Sequence, residues 1–222
     1  MFERIIPLIG EEKLSLLESS TVLVVGVGGV GSYAAEALIR SGIKKLIIID
    51  HDTIAPSNLN RQIFTNTTNI GLSKVSELSK RLTLINPDCE VTALDIFLDD
   101  KTINILDNYH IDYLIDACDT VNTKKLLIDY SLNNNIKLIS SMGTAKKLDP
   151  TKLQITDIRK TSYDPLAKII RKYVNSLKTT KKIMVVSSDE QPSNNKELAS
   201  MIFVPATAGL LCANYVIRDI IK

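Results

Sequence analysis

Four glycines within six residues constrain this chain more than any other feature. They are Gly26, Gly28, Gly29 and Gly31, in the run G-V-G-G-V-G. Before them stands the short β-branched run Thr21-Val22-Leu23-Val24-Val25, long enough for a buried parallel strand and too short for a helix. After them, Ser32 to Arg40 has helix-forming composition and stops at Gly42. A second apolar run, Leu46 to Ile49, ends in Asp50. Strand, glycine turn, helix, strand and acid make a βαβ unit of the dinucleotide-binding kind. Glycines let the backbone approach phosphate with no Cβ in the way. The helix start offers free N–H groups to an anion, and the carboxylate can accept from ribose hydroxyls. Gly26, Gly28 and Gly31 also fit G-x-G-x-x-G, so this unit alone fits a nicotinamide dinucleotide as well as ATP.

The next stretch separates the two. Asp50 is followed by a polar loop that ends Ser57-Asn58-Leu59-Asn60-Arg61-Gln62. A ribose acid in a nicotinamide site has no need of it, whereas an Arg fork suits phosphoryl oxygens. Lys74 falls in the first turn of a helix expected to start from Asn69 and to end at Asn86-Pro87. A cation there is unfavourable beside the helix dipole unless an anion is also present. Asp119 follows a strand spanning 112–116, at the carboxyl end where open α/β sheets hold ligands. It reads either as a Mg²⁺ ligand or as the N-cap of the helix from Val121 to Leu132.

In order, GVGGVG, D-x-D, S-N-L-N-R-Q, G-x-x-K and D-A-x-D resemble the adenylyltransferase superfamily of ubiquitin-activating enzymes. That resemblance implies ATP and Mg²⁺ as cofactors, with room for a monovalent cation. It places Gly28 and Gly29 against the nucleotide, Asp50 at the ribose, Asn58 at the triphosphate, Arg61 and Lys74 at the phosphates and Asp119 at the metal. Arg4 stands six residues before Gly10, as in the superfamily's amino-terminal pattern. The resemblance implies a homodimer in which Arg4 reaches the partner subunit's ATP; read alone, it is a solvated terminal arginine.

A narrower resemblance lies in the second half. The segment from Leu148 to Leu166, the M-V-V-S-S run from Met184 and F-V-P-A-x-A-G-L from Phe203 are similar to the tRNA threonylcarbamoyladenosine dehydratases. This implies a tRNA substrate and ATP-dependent cyclisation of the modified adenosine through an acyl-adenylate. Between Lys146 and Lys182 there are eleven Lys or Arg against three Asp, a candidate tRNA footprint or simply a solvated face. A rival adenylyltransferase would activate the tail of a ubiquitin-like sulfur-carrier protein, and a sulfur-transfer protein is a candidate partner. The other rival is a nicotinamide-binding protein or non-catalytic scaffold.

Composition adds exclusions. The 222 residues carry a net charge of +2, and no apolar run approaches the roughly 18 residues that span a membrane. The amino terminus lacks a signal pattern, so a cytoplasmic protein is expected. Cys89, Cys118 and Cys212 form no C-x-x-C pair, and with only His51 and His110 beside them no structural zinc is expected. No Cys lies between Cys118 and Cys212, which argues against a thioester intermediate, and Cys118 reads as structural. The expected fold is α/β: a Rossmann-like, doubly wound, mostly parallel sheet flanked by helices, with antiparallel C-terminal additions. One domain spans 1–222, with a nucleotide-binding core over 1–145 and a basic segment with a closing helix over 146–222. Further expectations are helices over 11–18 and 99–107, strands over 90–96, 136–140, 151–158 and 182–187, a helix opening at Asp164-Pro165, a polar loop over 189–197 and a last helix over 206–221.

Overall fold

The structure is a computed structural model that describes residues 1–194, 197 and 199–222. Helices α1 (Ile6–Ile9) and α2 (Glu11–Ser19) lead into strand β1 (Thr21–Val25), helix α3 (Gly31–Arg40) and strand β2 (Lys45–Ile49). Helix α4 (Lys74–Ile85), strands β3 (Glu90–Leu94) and β4 (Tyr113–Asp116), helix α5 (Val121–Asn133) and strand β5 (Lys137–Ser141) follow. The chain closes with β6 (Leu153–Asp157), α6 (Pro165–Ser176), β7 (Met184–Ser188) and α7 (Phe203–Ile220). All seven strands form one sheet in the order β3-β2-β1-β4-β5-β7-β6. Every pairing is parallel except β6 with β7. The expected fold class is therefore the observed one.

Parallel strands covered on both faces read as continuous apolar runs. Val22 to Val25 and Leu46 to Ile49 are buried throughout, and their side chains divide between two cores. One face packs Val22, Val24 and Ile48 against α3 and α7, through Ala34, Leu38, Ala208 and Cys212. The other packs Leu23, Val25 and Ile47 against α5 and α6, through Leu127, Ile128, Ala167 and Ile170. Among the described residues no helix is long and apolar enough to cross a membrane.

Three expected elements differ. The helix expected from Asn69 starts at Lys74, because Ser73 is held in an antiparallel bridge with Thr53. The segment 99–107 is not an α-helix but a 3₁₀ helix over Ile103–Asn108. Asp99 Oδ1 accepts from the N–H groups of Lys101 and Thr102 at 2.9 and 3.2 Å, a local turn that competes with helix. The last helix starts earlier, at Phe203, with Pro205 in its first turn where a missing N–H costs nothing. Asn195 and Lys196 of the expected polar loop lie outside the described residues.

Candidate active site

The glycine turn leaves β1 at Gly26, whose φ of +84° only glycine adopts freely. A Cβ there would stand 2.8 Å from the backbone N of Cys118, so the turn lies directly against the segment after β4. A Cβ on Gly28, by contrast, would meet nothing nearer than Gln62 Nε2 at 3.7 Å. The turn thus packs tightly on one side and leaves an open cradle on the other. Asp50 fastens it: Oδ2 accepts from the Val27 N–H at 2.8 Å, and Oδ1 from the Asp52 N–H at 2.9 Å.

A cavity of about 960 Å³ opens over the carboxyl ends of the strands. Gly28, Gly29, Asp50, Asn58, Arg61, Lys74 and Asp119 all line it, brought together from five separate segments. Arg4 does not line it, and is exposed near the amino terminus of its own chain.

The cations are held in place. Lys74 is buried, and its Nζ donates to Asp52 Oδ2 at 2.6 Å. The Lys74 N–H also donates to the Asp52 carbonyl at 3.0 Å, so the D-x-D loop and the start of α4 form one latch. Burial pushes the Asp52 carboxyl up, but the hydrogen bond and charge of Lys74 outweigh it and hold the group below its ordinary value. Arg61 Nη1 donates to the Ser57 carbonyl at 2.6 Å and to Asn60 Oδ1 at 3.0 Å. Its stem lies across Gly29, where a Cβ would stand 3.3 Å from Arg61 Cγ. Asn58 Oδ1 accepts from the Ala55 N–H at 3.0 Å, which fixes the amide and leaves its NH₂ without a partner among the described residues.

Asp119 is exposed, and its carboxylate has no partner among the described residues. Thr120, not Asp119, stands at the N-cap of α5, and no side-chain capping bond forms there. A free carboxylate facing this cavity is the donor type a Mg²⁺ ion takes beside phosphate oxygens. Asp50, His51 and Asp52 also cluster, with ligand atoms within 4.8 Å of one another. Both oxygens of Asp50 already accept backbone N–H groups and Asp52 is bonded to Lys74, so Asp119 suits the ion better.

Several groups at the site escaped the sequence reading. Asp52 has a signal, the D-x-D spacing, and Gln62 is the last residue of the S-N-L-N-R-Q run. Gln62 is buried against the cradle, with Oε1 unpartnered among the described residues. Lys124 sits beneath the site with no exposure at all, and its Nζ reaches Asp116, Ser140 and the Ser141 carbonyl. Its signal was periodicity, since Lys124, Leu127, Ile128 and Ser131 share the buried face of α5. Cys118 Sγ donates to Asp116 Oδ1 at 3.0 Å, and burial together with the Asp116 charge pushes the thiol well above its ordinary value. A thiol so placed stays protonated, which fits a structural role.

The fold and the cavity define a class, a Rossmann-like protein with a cation-lined anion crevice at its strand ends. A model of the ThiF family matches residues 2–220. The tRNA threonylcarbamoyladenosine dehydratase of Bacillus subtilis is 41% identical, over 96% of this chain and 92% of that protein. The enzyme of the same name from Escherichia coli is also 41% identical, over 76% of this chain and 63% of its own length. The crystal structure of E. coli tRNA N6-threonylcarbamoyladenosine dehydratase, TcdA, in complex with ATP superposes with a TM-score of 0.93. That alignment is 35% identical and covers 99% of this chain and 93% of the other. This chain belongs to the ThiF family and, within it, to the tRNA threonylcarbamoyladenosine dehydratases.

Proposed function

We propose that this protein catalyses the ATP-dependent dehydration of threonylcarbamoyl-modified adenosine in tRNA to a cyclic form. The observation that carries this reading is the likeness to the B. subtilis dehydratase along nearly all of both chains, glycine turn and C-terminal segment included. The cavity chemistry agrees with it. A carboxylate is a poor electrophile, so the threonyl carboxylate first attacks the α-phosphate of ATP, forming the acyl-adenylate and releasing pyrophosphate. Negative charge grows on the phosphoryl oxygens as it does so, and cations fixed beforehand stabilise that charge without reorganising.

Arg61 and Lys74 take the phosphates, and the free NH₂ of Asn58 orients the triphosphate. Asp50 accepts from the ribose while its other bonds hold the turn. Asp119 would hold Mg²⁺, which supplies further neutralisation of phosphate charge when bound. The substrate's own carbamoyl group then captures the activated carbonyl and AMP leaves. Intramolecular capture gains its rate from proximity, so no enzyme nucleophile is required. Cys118, held as a thiol, agrees with that.

The working unit in this reading is a homodimer, in which Arg4 completes the partner's site. In this reading the second copy meets the groove lined by Ala37, Ser41, Leu210, Ala213, Asn214 and Ile217, where Leu210 is about half exposed. The basic segment serves as the tRNA footprint, but not with all eleven cations. Lys147 is buried on Asp164, Arg159 pairs with Asp157, and Arg171 donates to the Thr161 carbonyl. Lys152, Lys160, Lys168, Lys172, Lys178, Lys181 and Lys182 remain exposed. A tRNA substrate agrees with a cytoplasmic location. Exchange of labelled pyrophosphate into ATP tests the activation step: stimulation by modified tRNA is expected, whereas stimulation only by a ubiquitin-like carrier tail would replace this reading with the sulfur-carrier one.

A further inference from the structure

The cavity has two sides, and the groups assigned above occupy one of them. In the sheet, β1 with its glycine turn neighbours β4, and β4 neighbours β5. Asp119, just past β4, therefore stands between two walls. The first carries Gly28, Gly29, Asn58, Arg61 and Lys74. The second is built from the loop after β5 and the start of α6: Met142, Thr144, Ala145, Lys146, Lys147, Asp164 and Leu166. At about 960 Å³ the whole space lies near the upper end of the roughly 300–1,000 Å³ usual for one small-molecule site.

The second wall is apolar apart from Thr144, Lys146 and one buried ion pair. Lys147 Nζ lies 3.2 Å from Asp164 Oδ2, and each side chain is only 1% exposed. Burying two charges is costly unless their remaining valences are met. Here they are: Lys147 Nζ also donates to the Gly143 carbonyl at 2.7 Å, and Asp164 Oδ1 accepts from the Ala167 N–H at 2.9 Å. The contact is also close, since a Cβ on Gly143 would stand 2.9 Å from Asp164 Oδ2. The pair ties the loop after β5 to the first turn of α6. The outer side of the same helix exposes Lys168 and Lys172.

We infer that this second lobe is the acceptor subsite, that it takes the neutral ureido-purine part of the modified nucleoside, and that Lys147 and Asp164 are positioning residues holding its wall. The inference rests on the activity proposed above and specifies where its second substrate sits. In-line transfer needs the attacking carboxylate to approach the α-phosphate from the side away from the departing pyrophosphate. The cations that take the phosphates stand on the first wall, so the nucleophile comes from the second. Asp164 neutralises Lys147, so that buried pair does not compete for the carboxylate, and the apolar surface of Met142, Ala145 and Leu166 suits an uncharged planar group. Because α6 carries both this wall and the exposed lysines, the pair also sets the lobe against the tRNA backbone.

The test compares Lys147→Met, Lys147→Arg and Ala145→Phe with the unaltered protein, using modified tRNA and ATP for turnover and a non-hydrolysable ATP analogue for binding. Ala145→Phe fills the lobe and leaves the ion pair intact. Expected are unchanged analogue affinity in all three and a turnover loss of about a hundredfold in Lys147→Met, the scale of a misplaced substrate. Lys147→Arg should recover most of that loss, and Ala145→Phe should raise KM for tRNA but not for ATP. Normal kcat and KM for tRNA in Ala145→Phe would overturn the inference even if Lys147→Met failed to fold. An unaltered protein that leaves modified tRNA unchanged would instead overturn the proposed function, and the inference with it.

Discussion

The Lys124 ammonium lies 3.1 and 3.0 Å from the two oxygens of Asp116, and neither side chain has any exposure. Ser140 Oγ donates to the same carboxylate at 2.5 Å, and Lys124 also donates to the Ser141 carbonyl at 2.8 Å. The carboxyl ends of β4 and β5 are thereby pinned together beneath Asp119. Lys124→Met would leave the Asp116 charge buried alone, and about 3–5 kcal/mol of stability should go with it. Burial pushes the Lys124 ammonium down, but the Asp116 charge outweighs this and the net shift is upward. A raised lysine contributes stability that is whole below about pH 10.4 and fades as pH rises through its folded value. Urea titrations at neutral and strongly alkaline pH check both statements: the gap between Lys124→Met and the unaltered protein should narrow at high pH.

Asp52 holds Lys74 and should be separable from it. Lys74→Ala removes a phosphate cation, and a fall of about 10²–10³-fold in kcat is expected. Asp52→Asn keeps the cation but loosens it, so a smaller loss, mainly in KM for ATP, is expected. Because the Asp52 carboxyl is held low, the ion pair persists above its ordinary value and is lost only as pH falls through the lower, folded one. Steady-state kinetics across the acid range should therefore show no loss of the latch near the ordinary carboxylate value.

Asp119 and Arg61 should cost activity without costing the fold. Asp119 is exposed and unpartnered among the described residues, so Asp119→Asn should shift stability by no more than about 0.5 kcal/mol. Pyrophosphate exchange should nonetheless be abolished in Asp119→Asn and in Arg61→Ala. Equal activity with unchanged melting temperature would remove both from the site.

Lys168 and Lys172 lie exposed on α6, one turn apart. If they meet phosphates, replacing both with Ala should make the slope of log affinity for tRNA against log salt shallower by roughly 1.4–1.8. Filter binding from low to high salt measures it, and an unchanged slope would remove α6 from the footprint.

Much of this was readable from the residues alone, for a physical reason. Buried parallel strands need continuous apolar runs and the phosphate turn needs glycine, so β1, α3 and β2 announce themselves locally. Asp119 could be read two ways because a cap and a ligand use the same side chain, and only the position of Thr120 separates them. Lys147 looked like part of a basic surface and is instead a buried pin, because its partner lies 17 residues on and is brought beside it by the fold. Periodicity puts Lys124 on the buried face of α5 but does not bring it to Asp116, which is 8 residues away on another element. Spacing along the chain carries no signal for such pairs.

Mass spectrometry of nucleosides from threonylcarbamoyl-modified tRNA, incubated with the protein, ATP and Mg²⁺, tests the central claim most directly. The account predicts conversion of the modified nucleoside to a species lighter by one water, with one AMP formed for each. Recovery of the nucleoside at its starting mass, with ATP intact or converted to ADP instead, would contradict it.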